Sequence, residues 1–313
     1  KTWTGSASIA QNQKGFLYLR MEDKAGNISF VNTSDGIIVN SQAKANVSIS
    51  VTPETSGSLD QIYADDVPLQ ISVEAPSDDS LFAGIRHVEW KVTNAGKVTQ
   101  SGNYDSETNT DANRSQRLRS LKKNIIVSAA KNNSNNVVVQ VTVEDWAGNT
   151  STISTPLRID VTKPIITASY DKNDVKNNKY FNTERNMTLT VRERNFSEDN
   201  LVLPLQIGKN NVRVSMQDIR DGKYGLVMVS DRADSEKNTD SNAYTDDRTN
   251  TYVIGFGHAE DCDEDFKVSA HVSDLAGNEA NQIRFANGSK ATDAFTIDKI
   301  KPVIRVTGKT ESS

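Results

Sequence analysis

The sequence predicts an all-β chain of tandem antiparallel β-sandwiches, and three observations carry that reading. The cluster Asp-x-Ala-Gly-Asn occurs three times, at Asp23 to Asn27, Asp145 to Asn149 and Asp274 to Asn278. A run of alternating apolar and polar residues leads into each copy, as in a strand with one face on a core. Near-identical junctions, IDVTKPII (Ile159 to Ile166) and IDKIKPVI (Ile297 to Ile304), follow two of the copies.

The repeat sets the register of everything else. Its Ala-Gly-Asn triplets are offset by 122 and 129 residues. Leu17, Leu19 and Met21 align with Val139, Val141 and Val143, and with Val268, Ala270 and Val272. Each set is expected to form the buried face of a strand. The cluster itself is expected to be a hairpin turn: Gly26, Gly148 and Gly277 take positive φ, while Asp23, Asp145 and Asp274 bond backbone N–H groups just ahead, with Asn27, Asn149 and Asn278 closing the loop. The residue after the Asp is Lys24, Trp146 or Leu275, which suggests that only backbone geometry matters there.

The junctions place the boundaries, because proline suits a strand start or a sheet edge. VNSQAKAN (Val39 to Asn46) fills the same slot with Lys44 in place of proline. Residues 1–42 then read as the last strands of one domain, 43–160 and 161–298 as complete sandwiches, and 299–313 as the start of a further domain or linker. The chain opens at Lys1 on what reads as a domain's tail, so a piece of something longer is expected.

Within 43–160, short strand-like runs (NVSISVTP, VPLQISVEAP, IRHVEWKVTN, GKVTQSG, NIIVSAA, VVVQVTVED, TPLRID) are separated by turn residues. About seven such runs is the sandwich pattern. Trp90 shares a face with Val88 and Val92 and reads as core. Within 161–298 the runs are KPIITASYD, NMTLTVRE, LVLPLQIG, KYGLVMVS, TYVIGFG and FKVSAHVSD, with long acidic connections. One short helix is expected at Ala112 to Asn124, and both the 100–124 and 231–251 regions read as long irregular connections.

Composition narrows the function. The 313 residues carry a net charge of −5, and 35% are hydrophobic. A chain this polar suits small modules, and an acidic one argues against nucleic acid. With Cys262 alone there is no intrachain disulfide, and no run approaches a membrane span. The Asn-x-Ser/Thr sequons at Asn27, Asn46, Asn113, Asn149, Asn186 and Asn195 follow from the Asn/Ser/Thr-rich composition.

Catalytic and metal patterns are weak. His87, His258 and His271 are the only histidines, and Cys262, four residues after His258, sits among acids that disfavour its thiolate. His258, Cys262 and His271 match no zinc spacing. Asp261, Asp263 and Asp265 are calcium candidates, but Phe266 and Val272 stand where an EF-hand needs Gly and Glu. No catalytic residue and no cofactor are expected. From Asp231 to Asp265 there are 11 acidic and 3 basic residues, whereas Arg114, Arg117, Arg119, Lys122 and Lys123 form an acid-free basic run. That run is the candidate ligand contact, weighed against a solvated face. A Lys–Asn isopeptide crosslink is a further option, with no pair readable.

The segments DLAGNEA, FTIDKIKPVI, FAGIRHVEWKVTNAGKV (Phe82 to Val98) and Pro164 to Asn200 resemble tandem bacterial Ig-like domains of the group-3 type, found on surface proteins of Gram-positive, gut Firmicutes-like bacteria. The resemblance implies tandem immunoglobulin-like sandwiches in an elongated array at the cell surface or cell wall. It also implies a non-catalytic, monomeric role in adhesion, with a host protein (an immunoglobulin or matrix component) or a glycan as partner. A stalk displaying another domain and an accessory region of a large secreted enzyme are the alternatives.

Overall fold

The computed structural model describes residues 6, 8–34, 36–52, 57–77, 81–106, 117–173, 179–233, 248–285 and 294–308. It divides into two compact units, Lys1–Asp160 and Val161–Ser313. Both are β-sandwiches of the immunoglobulin-like kind, and the chain is all-β apart from one five-residue α-helix and short 3-10 turns among the described residues.

The first unit begins with four short strands, β1 (Gln13–Gly15), β2 (Tyr18–Glu22), β3 (Ile28–Asn32) and β4 (Ile37–Val39), paired as β1 with β4 and β2 with β3. Eight more follow: β5 (Asn46–Val51), β6 (Ile62–Tyr63), β7 (Val67–Glu74), β8 (Ile85–Asn94), β9 (Lys97–Asp105), β10 (Ser120–Val127), β11 (Ser134–Asp145) and β12 (Thr150–Ile159). One sheet has the order β10-β7-β5 and faces β6-β12-β11-β8-β9. Pairing is antiparallel except for β6 beside β12. Period-2 alternation decides the inner faces: Val67, Leu69, Ile71 and Val73 from one sheet meet Val137, Val139, Val141 and Val143 from the other, all buried. Each such side chain contributes ~1.5–3 kcal/mol through burial. Trp90 packs partly buried against this core, and its cross-strand partner Gly102 makes room: a Cβ there would lie 2.7 Å from the indole.

The second unit comprises β13 (Ile165–Tyr170), β14 (Tyr180–Phe181), β15 (Arg185–Arg192), β16 (Leu201–Ile207), β17 (Asn210–Ser215), α1 (Met216–Arg220), β18 (Val227–Ala233), β19 (Thr249–Phe256), β20 (Asp263–Val268), β21 (His271–Ser273), β22 (Glu279–Ala280), β23 (Ile283–Phe285) and β24 (Ala294–Asp298). One sheet runs β18-β19-β15-β13-β23 and the other β14-β24-β20-β16-β21-β22, with β17 also on β16. Its core adds an aromatic cluster in which Phe295 contacts Tyr170, Phe181, Phe256 and Phe266 at centroid distances of 5.4–6.1 Å.

Three sequence expectations change. The helix placed at Ala112 to Asn124 is a strand from Ser120 onward, because Leu121, Ile125 and Val127 alternate inward against β7; residues 107–116 lie outside the described residues. The irregular connection placed at 100–124 shrinks accordingly, since β9 reaches Asp105. Leu17, Leu19 and Met21 are exposed, unlike their counterparts, because the β2–β3 hairpin is a two-stranded sheet with no facing layer among the described residues.

Candidate functional site

The three Asp-x-Ala-Gly-Asn clusters form one structure. In each, one carboxylate oxygen accepts from the N–H groups two and four residues ahead (Ala25 and Asn27, Ala147 and Asn149, Ala276 and Asn278) at 2.8–2.9 Å. The other accepts from the Asn side chain at 2.8–3.0 Å. Gly26, Gly148 and Gly277 have φ of 85°, 83° and 91°, the left-handed region that glycine enters without a Cβ penalty. These bonds hold Asp23 below the usual carboxylate range, the Asn27 side chain contributing most.

The variable position is more than backbone. The Trp146 N–H donates to Gly84 O, and the Leu275 N–H to Asn195 O, so these two turns are pinned to the loops that follow β7 and β15. Asp145 also accepts from Asn40 Nδ2 at 3.3 Å, while Asn149 Nδ2 donates to Asn40 O at 3.0 Å. The turn thereby fixes the segment that leads into β5.

Trp146 organises part of the basic run. The guanidiniums of Arg117 and Arg86 lie 5.3 and 5.7 Å from its ring centroid, and Arg117 Nη1 donates to Ala83 O at 2.9 Å. Gly84 is required beside it: φ is +89°, and a Cβ would lie 2.6 Å from Arg117 Cβ. Arg119 stands 5.7 Å from the Phe82 ring. Lys122 and Lys123 are exposed on β10, an edge strand of its sheet. Lys123 occupies an inward position between Leu121 and Ile125, a placement that discourages edge pairing. Arg114 lies outside the described residues. The structure thus places Arg117, Arg119, Lys122 and Lys123 along one sandwich edge, with the arginines stacked on aromatic rings and both lysines exposed, although they lie on opposite faces of β10.

In the acidic segment of the second unit, Asp261 lies in a turn and a strand follows it; residues 234–247 lie outside the described residues. Asp263–Val268 is β20, and Asp261, Asp263 and Asp265 do not converge to within 4.8 Å of one another. Asp265 is engaged by the Thr296 hydroxyl and by Lys179 Nζ at 3.0 Å, and these hold its carboxyl below the usual range. Cys262 is buried, and burial pushes its thiol up, away from nucleophilic character. His271 Nε2 lies 3.7 Å from Glu279, and His258 lies over Gly255.

Two polar features were missed from sequence. Arg185 is 2% exposed at the first inward position of β15, where β7 has Val67. Its guanidinium lies 3.7, 4.2 and 4.8 Å from the rings of Tyr170, Phe181 and Phe295, and it donates to Lys172 O and Asn173 Oδ1. Burial lowers its pKa to about 10. An arginine opening an otherwise apolar alternation was the available signal. The second is α1, announced by Ser215-x-x-Asp218, whose side chains and backbone form a reciprocal capping box. Arg220 at its end pairs bidentately with Glu198 and also with Asp231, while the Tyr252 hydroxyl donates to Glu198 at 2.9 Å.

No protein-family model matches the sequence, and no curated protein matches it. Among solved structures, the chain is 16% identical to the tetra-tandem repeat in the extending region of a large adhesion protein, with a TM-score of 0.37, covering 92% of this chain and 57% of that one. A structure described under host cell surface retention of a 1.5-MDa bacterial ice-binding adhesin is 13% identical, with a TM-score of 0.31 and coverage of 92% and 74%. The fibronectin(III)-like modules of Clostridium thermocellum CbhA are 10% identical, with a TM-score of 0.23 and coverage of 83% and 100%. The chain therefore spans little more than half of the first of these, and likeness at this level assigns no role.

Proposed function

We propose that this chain is a non-catalytic, extracellular region of a Gram-positive bacterial surface protein whose sandwiches hold a host protein, such as an immunoglobulin or matrix component, or a glycan. In that reading residues 1–42, 43–160, 161–298 and 299–313 belong to successive modules, and the chain is monomeric. The observation that supports contact formation is the edge of the first sandwich. Arg117 and Arg119 are held on aromatic rings beside the exposed Lys122 and Lys123, giving a preorganised basic surface on an otherwise acidic protein. No helix among the described residues is long and apolar enough to cross a membrane.

The test is retention of serum and mucosal proteins on the immobilised full chain, compared with Lys122→Glu/Lys123→Glu. A partner retained by the parent and lost from the double variant supports the reading. Absence of any retained partner favours the alternative, a stalk displaying another domain or an accessory region of a secreted enzyme. The shortening of the 100–124 connection by β9 and β10 is the observation that keeps the stalk reading in play.

A further inference from the structure

A cleft of about 500 Å3 opens on the second unit where the end of β13, strand β14 and the end of β24 meet. Asp171, Lys172, Asn182, Thr183 and Asp298 line it, and Tyr180 stands in it with half its surface exposed. We propose that this cleft binds a neutral saccharide, with Tyr180 stacking on the C–H face of a pyranose and the fixed carboxylates accepting from its hydroxyls. The inference rests on the glycan-binding form of the function proposed above.

The cleft is within the ~300–1,000 Å3 range of small-molecule sites, and its polar groups are held before any ligand arrives. Asp171 accepts from Asn186 N at 2.9 Å and from Asn186 Nδ2 at 3.0 Å, one bond to each oxygen. Asp298 Oδ1 accepts from Ile300 N at 2.9 Å. Each carboxylate oxygen has two lone pairs, so both groups keep acceptor capacity in a set position. Lys172 Nζ is tied to Thr183 Oγ1 at 3.2 Å and to Glu184 O at 2.7 Å, which fixes a donor in the cleft. Tyr180 is held by the pairing of β14 with β24, and its neighbour Phe181 is buried on the Arg185 guanidinium.

The lining discriminates among ligand classes. Asp171 and Asp298 outnumber Lys172, whose ammonium is already paired with Glu184 at 3.4 Å, so the cleft disfavours an anion. A wholly apolar ligand would bury those carboxylates without compensation. A saccharide supplies what the lining lacks: hydroxyls that both donate and accept, and a flat apolar face for an exposed aromatic ring.

The full chain is titrated with lactose, N-acetyllactosamine and N,N′-diacetylchitobiose by NMR, with tetralysine in a parallel titration. Saturable binding of at least one saccharide is expected, weakened about tenfold by Tyr180→Ala, the loss of roughly one aromatic contact. Tyr180→Trp is expected to retain binding and Asp298→Asn to weaken it. Should Tyr180→Ala unfold, Asn182→Ala on the same rim is expected to weaken binding in a folded chain. The inference is overturned if no saccharide binds saturably, if binding survives both Tyr180→Ala and Asn182→Ala, or if tetralysine binds and the saccharides do not. A host protein retained through Lys122 and Lys123 by a chain that binds none of the saccharides would sink this inference and leave the proposed function standing.

Discussion

The Arg117 guanidinium lies 5.3 Å from the centroid of the Trp146 ring, which joins the basic run to the second Asp-x-Ala-Gly-Asn turn. Arg117 also donates to Ala83 O. Truncation removes a cation–π contact and a hydrogen bond, so Arg117→Ala is expected to destabilise the first unit by ~1–2 kcal/mol. Arg117→Lys should recover only part, because an ammonium lacks the planar face. Urea unfolding followed by tryptophan fluorescence reads both, and an unchanged midpoint in Arg117→Ala would refute the role. Contact experiments are therefore cleaner at Lys122 and Lys123.

Asp145 should matter more than Asp23, although the two turns share their bonds. Asp145 is buried and also accepts from Asn40 Nδ2, whereas Asp23 is exposed to water that can replace it. Asp145→Ala leaves the Ala147 and Asn149 N–H groups without their acceptor and is expected to cost ~2–4 kcal/mol. Asp145→Asn should recover little, because its new N–H2 group faces the amides of Asn40 and Asn149. Asp23→Ala should shift the midpoint far less. Chemical denaturation of the three variants checks the order.

How much of this was legible follows from what each residue does. The alternation of Val137 to Val143 shows a half-buried strand because side-chain direction in a strand has a period of two. The Asp–Gly–Asn spacing shows the turn because its bonds are local. Sequence could not show Arg117 meeting Trp146 or Arg220 meeting Glu198, since those pairs are 29 and 22 residues apart and depend on how loops return. The strand at Ser120 was misread because Leu118, Leu121 and Ile125 also fit a helical period. The start of β20 is hidden in the sequence because Asp263, Glu264 and Asp265 are all exposed, and only Phe266 and Val268 of that strand are buried.

Around Arg220, stability should fall at both ends of the pH range. Arg220, followed by the Tyr252 hydroxyl, holds Glu198 below the usual carboxylate range. A carboxyl lowered on folding stabilises above its unfolded pKa, about 4.3, and that contribution is lost as pH falls through the folded value. Burial, then Glu198, raises Tyr252. A phenol raised on folding stabilises below its unfolded pKa, about 10, and that contribution is lost as pH rises further. Arg220→Gln should flatten the acid limb of urea midpoint against pH, and identical limbs in parent and variant would refute the assignment.

Arg185 presents the opposite balance. Its pKa of about 10 means that burial disfavours the cation, so this group's unfavourable contribution eases as pH climbs through 10. Its stem and guanidinium nevertheless fill the space between Tyr170, Phe181 and Phe295. Arg185→Met keeps most of the volume without the charge and should fall within ~1 kcal/mol of the parent, whereas Arg185→Ala opens a cavity costing ~2–4 kcal/mol. Equal losses in the two variants would show that the hydrogen bonds to Lys172 and Asn173 dominate.

The β2–β3 hairpin repeats the pattern of β11–β12 without its environment. Leu19 pairs with Val31 as Val141 pairs with Ile153, and Met21 with Ser29 as Val143 with Ser151. Val141 and Val143 are buried between two sheets, yet Leu19, Met21 and Val31 are 53%, 51% and 60% exposed. A row of apolar side chains on a two-stranded sheet is a surface that association would cover. Leu19→Ser combined with Val31→Thr should reduce binding of an environment-sensitive apolar dye. The melting temperatures of the two sandwiches should stay fixed, because neither residue belongs to their cores. Dye fluorescence of parent and variant decides the matter: equal binding would mean that the face is inert, and a lowered melting temperature would mean that it packs against the first sandwich after all.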